Sequence, residues 1–274
     1  MTDPTRQARL RAEDLTLAYD GRTISEHLDV TIPEGSFTVI LGPNACGKST
    51  LLKAFARVLA PAAGSVLLTE RPVARMAAKA FARELALLPQ SLLVPEGIKV
   101  KDLVGRGRFP HQTFWRQWST EDEQAVAAAM EQTHVSDLGA RFVSELSGGQ
   151  RQRVWLAMVL AQQTPTVLLD EPTTFLDIAH QYEVMEICAE LNRSGRTVVA
   201  VLHDLNQAAR YADHLIVMRA GDVVAQGPPA EVLTEDLVHD VYGLANRVVP
   251  CPETGAPMAV PAAQPLGART VPSG

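Results

Sequence analysis

Residues 42–49 read GPNACGKS, with glycines at Gly42 and Gly47, then Lys48 and the hydroxyl of Ser49. This spacing suits a phosphate cradle, because glycines let successive backbone N–H groups converge on phosphate oxygens beside the positive end of a helix. A lysine at position 48 reaches β- and γ-phosphates, and the next hydroxyl is a ligand for Mg²⁺. The pattern works where a buried strand runs into a helix. It lies here between the unbroken apolar run FTVIL and the helically spaced KSTLLKAFARVL.

A second β-like run, TVLLDE, ends in the adjacent carboxylates Asp170 and Glu171. Neighbouring side chains at a strand end point to opposite sides, so the two can take different work. Asp170 is placed to hold Mg²⁺ through water, and Glu171 to polarise a water that attacks the γ-phosphate in line. Further along, Leu146-Ser147-Gly148-Gly149-Gln150 precedes RQRVWLAMVLA, so a serine, two glycine amides and a helix N-terminus form another phosphate-ready end. One nucleotide has no need of two cradles from the same chain.

The elements that must position these groups are legible as periodicity. The runs LTLAY, LDVTI and SFTVILG, punctuated by Asp20-Gly21 and Pro33-Glu34-Gly35, predict an N-terminal antiparallel sheet, with FTVIL itself a strand buried on both faces. TVLLD, TVVAVLH and HLIVM are short β-branched runs separated by helical stretches, one of which places Ile178, Tyr182, Met185 and Ala189 on one face. Strands alternating with helices predict an α/β fold around a mainly parallel sheet. Between about Gln90 and Leu160 only helical patterns stand out, KVKDLVGRGR and STEDEQAVAAAMEQTHV, the latter with Ser119 and Thr120 as cap candidates. The last 25 residues carry six prolines and three glycines, which predicts an irregular tail from Pro250 with a turn at Thr254-Gly255.

At 274 residues, with 46% hydrophobic and 20% charged residues, the chain is long enough for a sizeable core and is neither disordered nor a disulfide scaffold. The net charge of −6 gives no basic footprint for nucleic acid. Cys46, Cys188 and Cys251 lack any metal-ligand spacing, and the longest apolar run, Val154 to Ala161, is far too short to span a bilayer. A reducing cytoplasm fits these features, and any membrane role must come through a partner.

With its phosphate loop, strand-end carboxylates and LSGGQ, the chain resembles the ATP-binding subunit of an ABC transporter over residues 12 to 250. The resemblance implies a P-loop NTPase core of RecA type with an antiparallel β subdomain, formed by 12–90 and 161–250. It also implies an inserted α-helical subdomain at 91–160, leaving 251–274 as the Pro/Gly-rich tail. ATP would be held by Tyr19, stacked on adenine, and by Gly42, Pro43, Asn44, Ala45, Cys46, Gly47, Lys48, Ser49 and Thr50. The resemblance further makes Gln90 a sensor of Mg²⁺ and the attacking water, so Ser49, Gln90 and Asp170 form the metal set. Glu171, His203, Gln90 and Lys48 form the catalytic set, with His203 on the γ-phosphate holding Glu171 and the water in register. In such proteins two copies pair head to tail, so Ser147, Gly148, Gly149 and Gln150 of one copy would complete the other's site, and Asp177 would act across the interface.

The loop departs from the family's usual P-N-G-x-G at Ala45, and Phe175 stands where a small residue is common. A left-handed backbone would cost Ala45 about 1 kcal/mol or more, so an ordinary L-residue conformation is expected there. Cys46, beside Lys48 and a helix N-terminus, reads either as a reactive thiol or as an inert loop residue. From His203 onward, HDLNQAARYADHLIVMRAGDVVAQGPPAEVLT, with EPTTFLDIAHQYEV before it, resembles importers of ferric siderophores, with haem and cobalamin importers as cousins. This implies a homodimer of peripheral ATPase subunits on the cytoplasmic face of the membrane. Its partners would be transmembrane permease subunits and, indirectly, an extracytoplasmic substrate-binding protein, with no nucleic acid. The other readings are an exporter half and a soluble ABC regulator. Lys99, Lys101, Arg106, Arg108 and Arg116 form a local positive excess that could face the permease, lipid headgroups or only solvent, and Trp115 and Trp118 beside them are equally open.

Overall fold

The computed structural model describes residues 7–19, 21–91, 96–113, 118–174 and 176–263. β1 (Ala8–Tyr19) and β2 (Arg22–Pro33) pair antiparallel and alternate inward and outward, burying Leu10, Ala12, Leu15 and Leu17 with Leu28, Val30 and Ile32. β1 begins well before the LTLAY run. β3 (Phe37–Leu41) is buried at every position and leads into α1 (Lys48–Phe55). β4 (Ala63–Leu68) and β5 (Arg71–Pro72) complete a four-stranded sheet of order β2-β1-β4-β5.

α2 (Ala78–Glu84) runs directly into β6 (Leu85–Leu88). A helical layer follows, made of α3 (Val100–Gly105), α4 (Thr120–Gln132) and α5 (Gly148–Ala161) with short 3₁₀ turns between them. Ser119 caps α4: its hydroxyl accepts from the Asp122 N–H while the Asp122 carboxylate accepts from the Ser119 N–H. The chain then alternates through β7 (Thr166–Asp170), α6 (Ile178–Arg193), β8 (Thr197–Val201), α7 (Leu205–Tyr211) and β9 (His214–Arg219). β10 (Asp222–Gly227), α8 (Pro229–Val232), α9 (Glu235–Tyr242), β11 (Asn246–Pro250) and β12 (Pro257–Pro261) close it.

The second sheet has the order β10-β9-β3-β8-β7-β6, parallel throughout except for the β9–β10 edge pair. Alternation along its central strands divides the core in two. Val39, Leu41, Val167, Leu169, Val198, Ala200 and Val217 pack with α5 and α6, whereas Ile40, Leu168, Val199, Val201 and Ile216 pack with α1 and the antiparallel sheet. Each such valine, leucine or isoleucine contributes roughly 1.5–3 kcal/mol of burial. The strand ends that carry the polar groups are thereby fixed from both faces.

Two expectations are corrected here. The segment from Pro250 is not wholly irregular: β11 and β12 form a hairpin paired from Asn246↔Pro261 to Pro250↔Pro257, around a turn that contains Thr254 and Gly255. Its prolines occupy the ends of the ladder, where a missing N–H is tolerated, so proline content misleads at this place. Ala259 is buried against Ala209, Leu233 and Val238. Its N–H donates to Asn206 Oδ1 at 2.8 Å, and Asn206 Nδ2 donates to its carbonyl at 3.2 Å.

The basic surplus around 99–118 is partly internal rather than outward-facing. Arg108 is buried and bonds Asp122 at 2.8 Å and the Ala161 carbonyl, and Lys101 pairs with Glu123 at 3.0 Å. Trp118 is half-exposed beside Gly105, while Trp115 and Arg116 lie outside the described residues, as does Phe175.

Candidate active site

The loop between β3 and α1 is shaped by close approach. A Cβ on Gly42 (φ +147°) would sit 2.1 Å from the Met218 carbonyl oxygen and 2.7 Å from Cys46 Sγ, so no other residue fits there. Gly47 (φ +104°) caps α1. The expectation for Ala45 is corrected: its φ of +61° is left-handed, a strain of about 1–2 kcal/mol for an L-residue. Cys46 is buried, which supports the inert reading of this thiol over the reactive one.

Lys48 is buried and its Nζ donates to the carbonyls of Gly42 and Pro43, each at 2.8 Å. The ammonium is thus held within the loop. Ser49 Oγ donates to Asp170 Oδ1 at 2.7 Å, tying the start of α1 to the end of β7. Burial pushes the Asp170 carboxyl up from its ordinary range, with the Ser49 bond and Lys53 pulling the other way. A carboxylate that is 2% exposed and lies beside a hydroxyl has a use for a cation.

Glu171 takes a left-handed backbone (φ +52°) just past the strand, which re-aims its side chain. Its Oε2 accepts from Gln90 Nε2 at 2.7 Å and Thr174 Oγ1 at 3.0 Å, and its Oε1 faces His203 Nε2 at 2.7 Å. Burial alone would raise its pKa, but these bonds, that of His203 foremost, hold it below the usual glutamate range. At neutral pH it is a carboxylate able to take a proton.

A cavity of about 220 Å³ opens here, lined by Ile24, Asn44, Ala45, Cys46, Gly47, Lys48, Ser49, Thr50, Glu171 and His203. Ile24 and Thr174 were not singled out by the sequence. Ile24 carries no polar signal, and the Thr174 contact follows from the turn after Glu171. Gln90 reaches the site through Glu171 rather than through the cavity wall. Tyr19, 60% exposed, does not line the cavity, and neither do Ser147, Gly148, Gly149, Gln150 or Asp177.

Of these, Ser147 to Gln150 and Asp177 form a separate end at the starts of α5 and α6. Ser147 caps α5, accepting from the Gln150 N–H at 3.3 Å, while Gln150 Oε1 accepts from the Ser147 N–H at 3.1 Å. The hydroxyl proton of Ser147 remains available to donate outward. Asp177 caps α6 in the same manner, accepting from the His180 N–H at 3.0 Å.

The comparisons with known proteins agree with this geometry. A model of the ABC transporter family matches residues 25–174. The chain is 52% identical to the ferric enterobactin transport ATP-binding protein FepC of Escherichia coli K12, over 97% of each protein. It is 52% identical to the achromobactin transport ATP-binding protein CbrD of Dickeya dadantii, covering 92% of this chain and 94% of that one. Against the hemin import ATP-binding protein HmuV of Streptomyces coelicolor the identity is 43%, over 93% and 90%. Among solved structures, cbiO1 from Clostridium perfringens, part of the ABC transporter complex cbiONQ, superposes with a TM-score of 0.72 at 30% identity, covering 85% and 94% of the two chains. A dimeric bacterial ABC transporter cassette shares the fold at the same TM-score and 24% identity, over 80% and 98%. This chain belongs to the ABC transporter family, as an ATP-binding and ATP-hydrolysing cassette.

Proposed function

We propose that the protein energises uptake of a ferric siderophore through separate permease subunits, two copies closing head to tail on two MgATP. The observation that carries the cargo class is the 52% identity to FepC along 97% of both chains. Support for the chemistry comes from the bonds that hold Gln90, Thr174 and His203 around Glu171. Residues 12–250 are taken as one cassette with 91–160 as its helical subdomain, and the hairpin that ends at Pro261 extends the ordered part.

The residues present fit Mg²⁺. Ser49 and the buried Asp170 offer only hard oxygen donors and a single carboxylate, as this cation takes when substrate phosphates complete its shell. Ser49 and Asp170 would hold it, and when bound it would supply neutralisation of the phosphate charge. Loop N–H groups and Lys48 hold the phosphates. Glu171 accepts a proton from the water whose oxygen bonds to the γ-phosphorus, while the bond from that phosphorus to the bridging oxygen breaks and ADP leaves. His203 and Gln90, touching the two oxygens of Glu171, fix its direction. Ser147 and Gly149 of the partner subunit donate to the γ-phosphate from the far side.

Motion passes to the permease through a groove of about 330 Å³ on the helical layer, lined by Lys101, Asp102, Gly105, Arg106, Phe109, Gln112 and Trp118. Phe109 is 69% exposed there, an apolar anchor among charges that suits a short helix of a membrane partner.

The reading is tested by radiolabelled-iron uptake in cells lacking the gene, given a panel of ferric siderophores. Uptake of at least one, restored by wild-type protein and not by Glu171→Gln, is the expected result. Unimpaired uptake of every siderophore, with loss of haem or cobalamin uptake instead, would reassign the cargo.

A further inference from the structure

His180 lies on the first turn of α6, and its ring touches two groups that the chemistry of this family does not require it to touch. A Cβ built on Gly149 would lie 2.7 Å from His180 Cδ2, 3.1 Å from Cγ and 3.2 Å from Nε2. The second glycine of LSGGQ is therefore packed face-on against this imidazole, and an added methyl has no room unless the ring moves. From its other edge, His180 Nδ1 lies 2.6 Å from Asp177 Oδ1, the oxygen that also accepts the His180 backbone N–H. Those two bonds hold the Asp177 carboxyl below the usual aspartate range, the backbone bond foremost.

Other contacts fix the surroundings of this ring. Gln152 Nε2 donates to the Pro172 carbonyl at 2.9 Å, and Arg153 pairs with Glu183 at 2.5 Å, joining α5 to the segment that leaves Glu171 and to α6. Thr174 in that segment bonds Glu171 itself. Thr174 thus bonds the base of one ATP site, Asp177 follows three positions later in the same segment, and His180 joins Asp177 to the glycine that serves the other ATP site.

We propose that His180 is a positioning residue that locks the Ser147–Gln150 turn to Asp177, so that hydrolysis in one ATP site is felt in the site closed by this chain's signature. The inference rests on the head-to-tail dimer proposed above. A planar ring with two rotatable bonds suits this role, because it keeps one edge on a carboxylate and one face on a glycine with little slack, so a shift of either is passed on. Such a link is a coupling free energy between sites and acts in both directions.

The test is ATP hydrolysis by the assembled transporter over a range of ATP concentrations, comparing wild type with His180→Ala, His180→Asn and Gly149→Ala. Nucleotide binding and ATP-driven dimerisation are followed in parallel on the isolated chain, in a Glu171→Gln background. For His180→Ala we expect nucleotide affinity and melting temperature close to wild type, kcat about tenfold lower, and a Hill coefficient reduced to 1. His180→Asn, which keeps a donor for Asp177, should recover part of kcat. Gly149→Ala, which displaces the ring and also burdens the phosphate contact, should lower kcat at least as far. Wild-type kcat and Hill coefficient in His180→Ala or, where that variant does not fold, in His180→Asn, with dimerisation intact, would overturn the role of His180 and leave the dimer standing. A Glu171→Gln protein that stays monomeric with MgATP, and wild-type turnover with a Hill coefficient of 1, would remove the dimer reading and this inference with it.

Discussion

The chain presents two ends able to meet phosphate, and they are built in opposite ways. At the strand ends, Lys48 and Asp170 are 5% and 2% exposed, every charge has a partner, and the backbone bends into left-handed conformations at Ala45 and Glu171. At the start of α5, Ser147 and Gly148 face outward, the bonds are those of an ordinary capping box, and a Cβ on Gly148 would meet nothing within 4 Å. The first end holds its catalytic groups in place before nucleotide arrives. The second is a rigid donor surface without a site of its own. In the head-to-tail dimer proposed above, one chain carries the base and the phosphate loop, and the donor surface of a second copy would close the site.

The sharpest way to break this contrast is at Glu171. Glu171→Gln keeps the size of the side chain and one acceptor oxygen but cannot take a proton. Turnover should fall by about 10²–10⁴-fold, the range for a positioned general base, with ATP affinity within a few-fold of wild type. Steady-state phosphate release beside equilibrium nucleotide binding measures both, and near-normal turnover would move the base elsewhere.

Mixed dimers sharpen the division of labour between the two ends. A dimer with Lys48→Ala in one copy and Ser147→Ala in the other confines both lesions to one site and should retain hydrolysis in the second. Placing both substitutions in one copy, opposite a wild-type copy, damages both sites and should abolish it. The reverse result, with hydrolysis retained only when both substitutions sit in one copy, would mean that each chain completes its own site.

What the sequence reveals of these two ends follows from how local each is. The phosphate loop is contiguous, so spacing alone exposes Gly42 to Ser49, and β-branched runs expose the buried strands beneath it. Gln90 and Glu171 are 81 positions apart, and their 2.7 Å bond exists only because β6 and β7 are neighbours in the sheet. Ile24 lines the cavity through its place on β2, a fact of sheet packing with no chemical mark in the sequence. The His180 ring on Gly149 requires the first turns of α5 and α6 to meet, which periodicity does not specify. The closing hairpin is hidden for the opposite reason: its prolines are genuine strand breakers that happen to fall at the ends of the ladder.

That hairpin gives the next smaller effect, on the scaffold behind the first end. Asn206 sits on α7, three residues after His203, and holds both backbone groups of Ala259. Asn206→Ala should cost about 1–2 kcal/mol, two net hydrogen bonds' worth, and lower the melting temperature by about 2–6 °C. Calorimetry checks the figure. An unchanged melting temperature would mean that the hairpin contributes nothing to the fold of α7.

The smallest effect sets the two glycine-rich turns directly against each other. Ala45 at φ +61° is strained, and glycine there removes about 1–2 kcal/mol of strain at a cost of about 0.4–1 kcal/mol in unfolded-state entropy. Ala45→Gly should therefore raise the melting temperature by about 2 °C and leave turnover within twofold, since no functional atom is removed. Gly148 is the reverse case: it is the first residue of α5, has no left-handed φ, and its surroundings are open. Gly148→Ala should also stabilise the isolated chain slightly, by about 0.5 kcal/mol, because alanine is the better helix former. Its turnover should nevertheless fall, because in the proposed dimer the other copy's nucleotide approaches through the open space above Gly148. Two stabilising substitutions with opposite consequences for hydrolysis would separate a turn strained for its own site from a turn kept bare for its partner's. A fall in melting temperature with Ala45→Gly would remove the strain from the comparison, and undiminished turnover with Gly148→Ala would remove the approach of the second nucleotide.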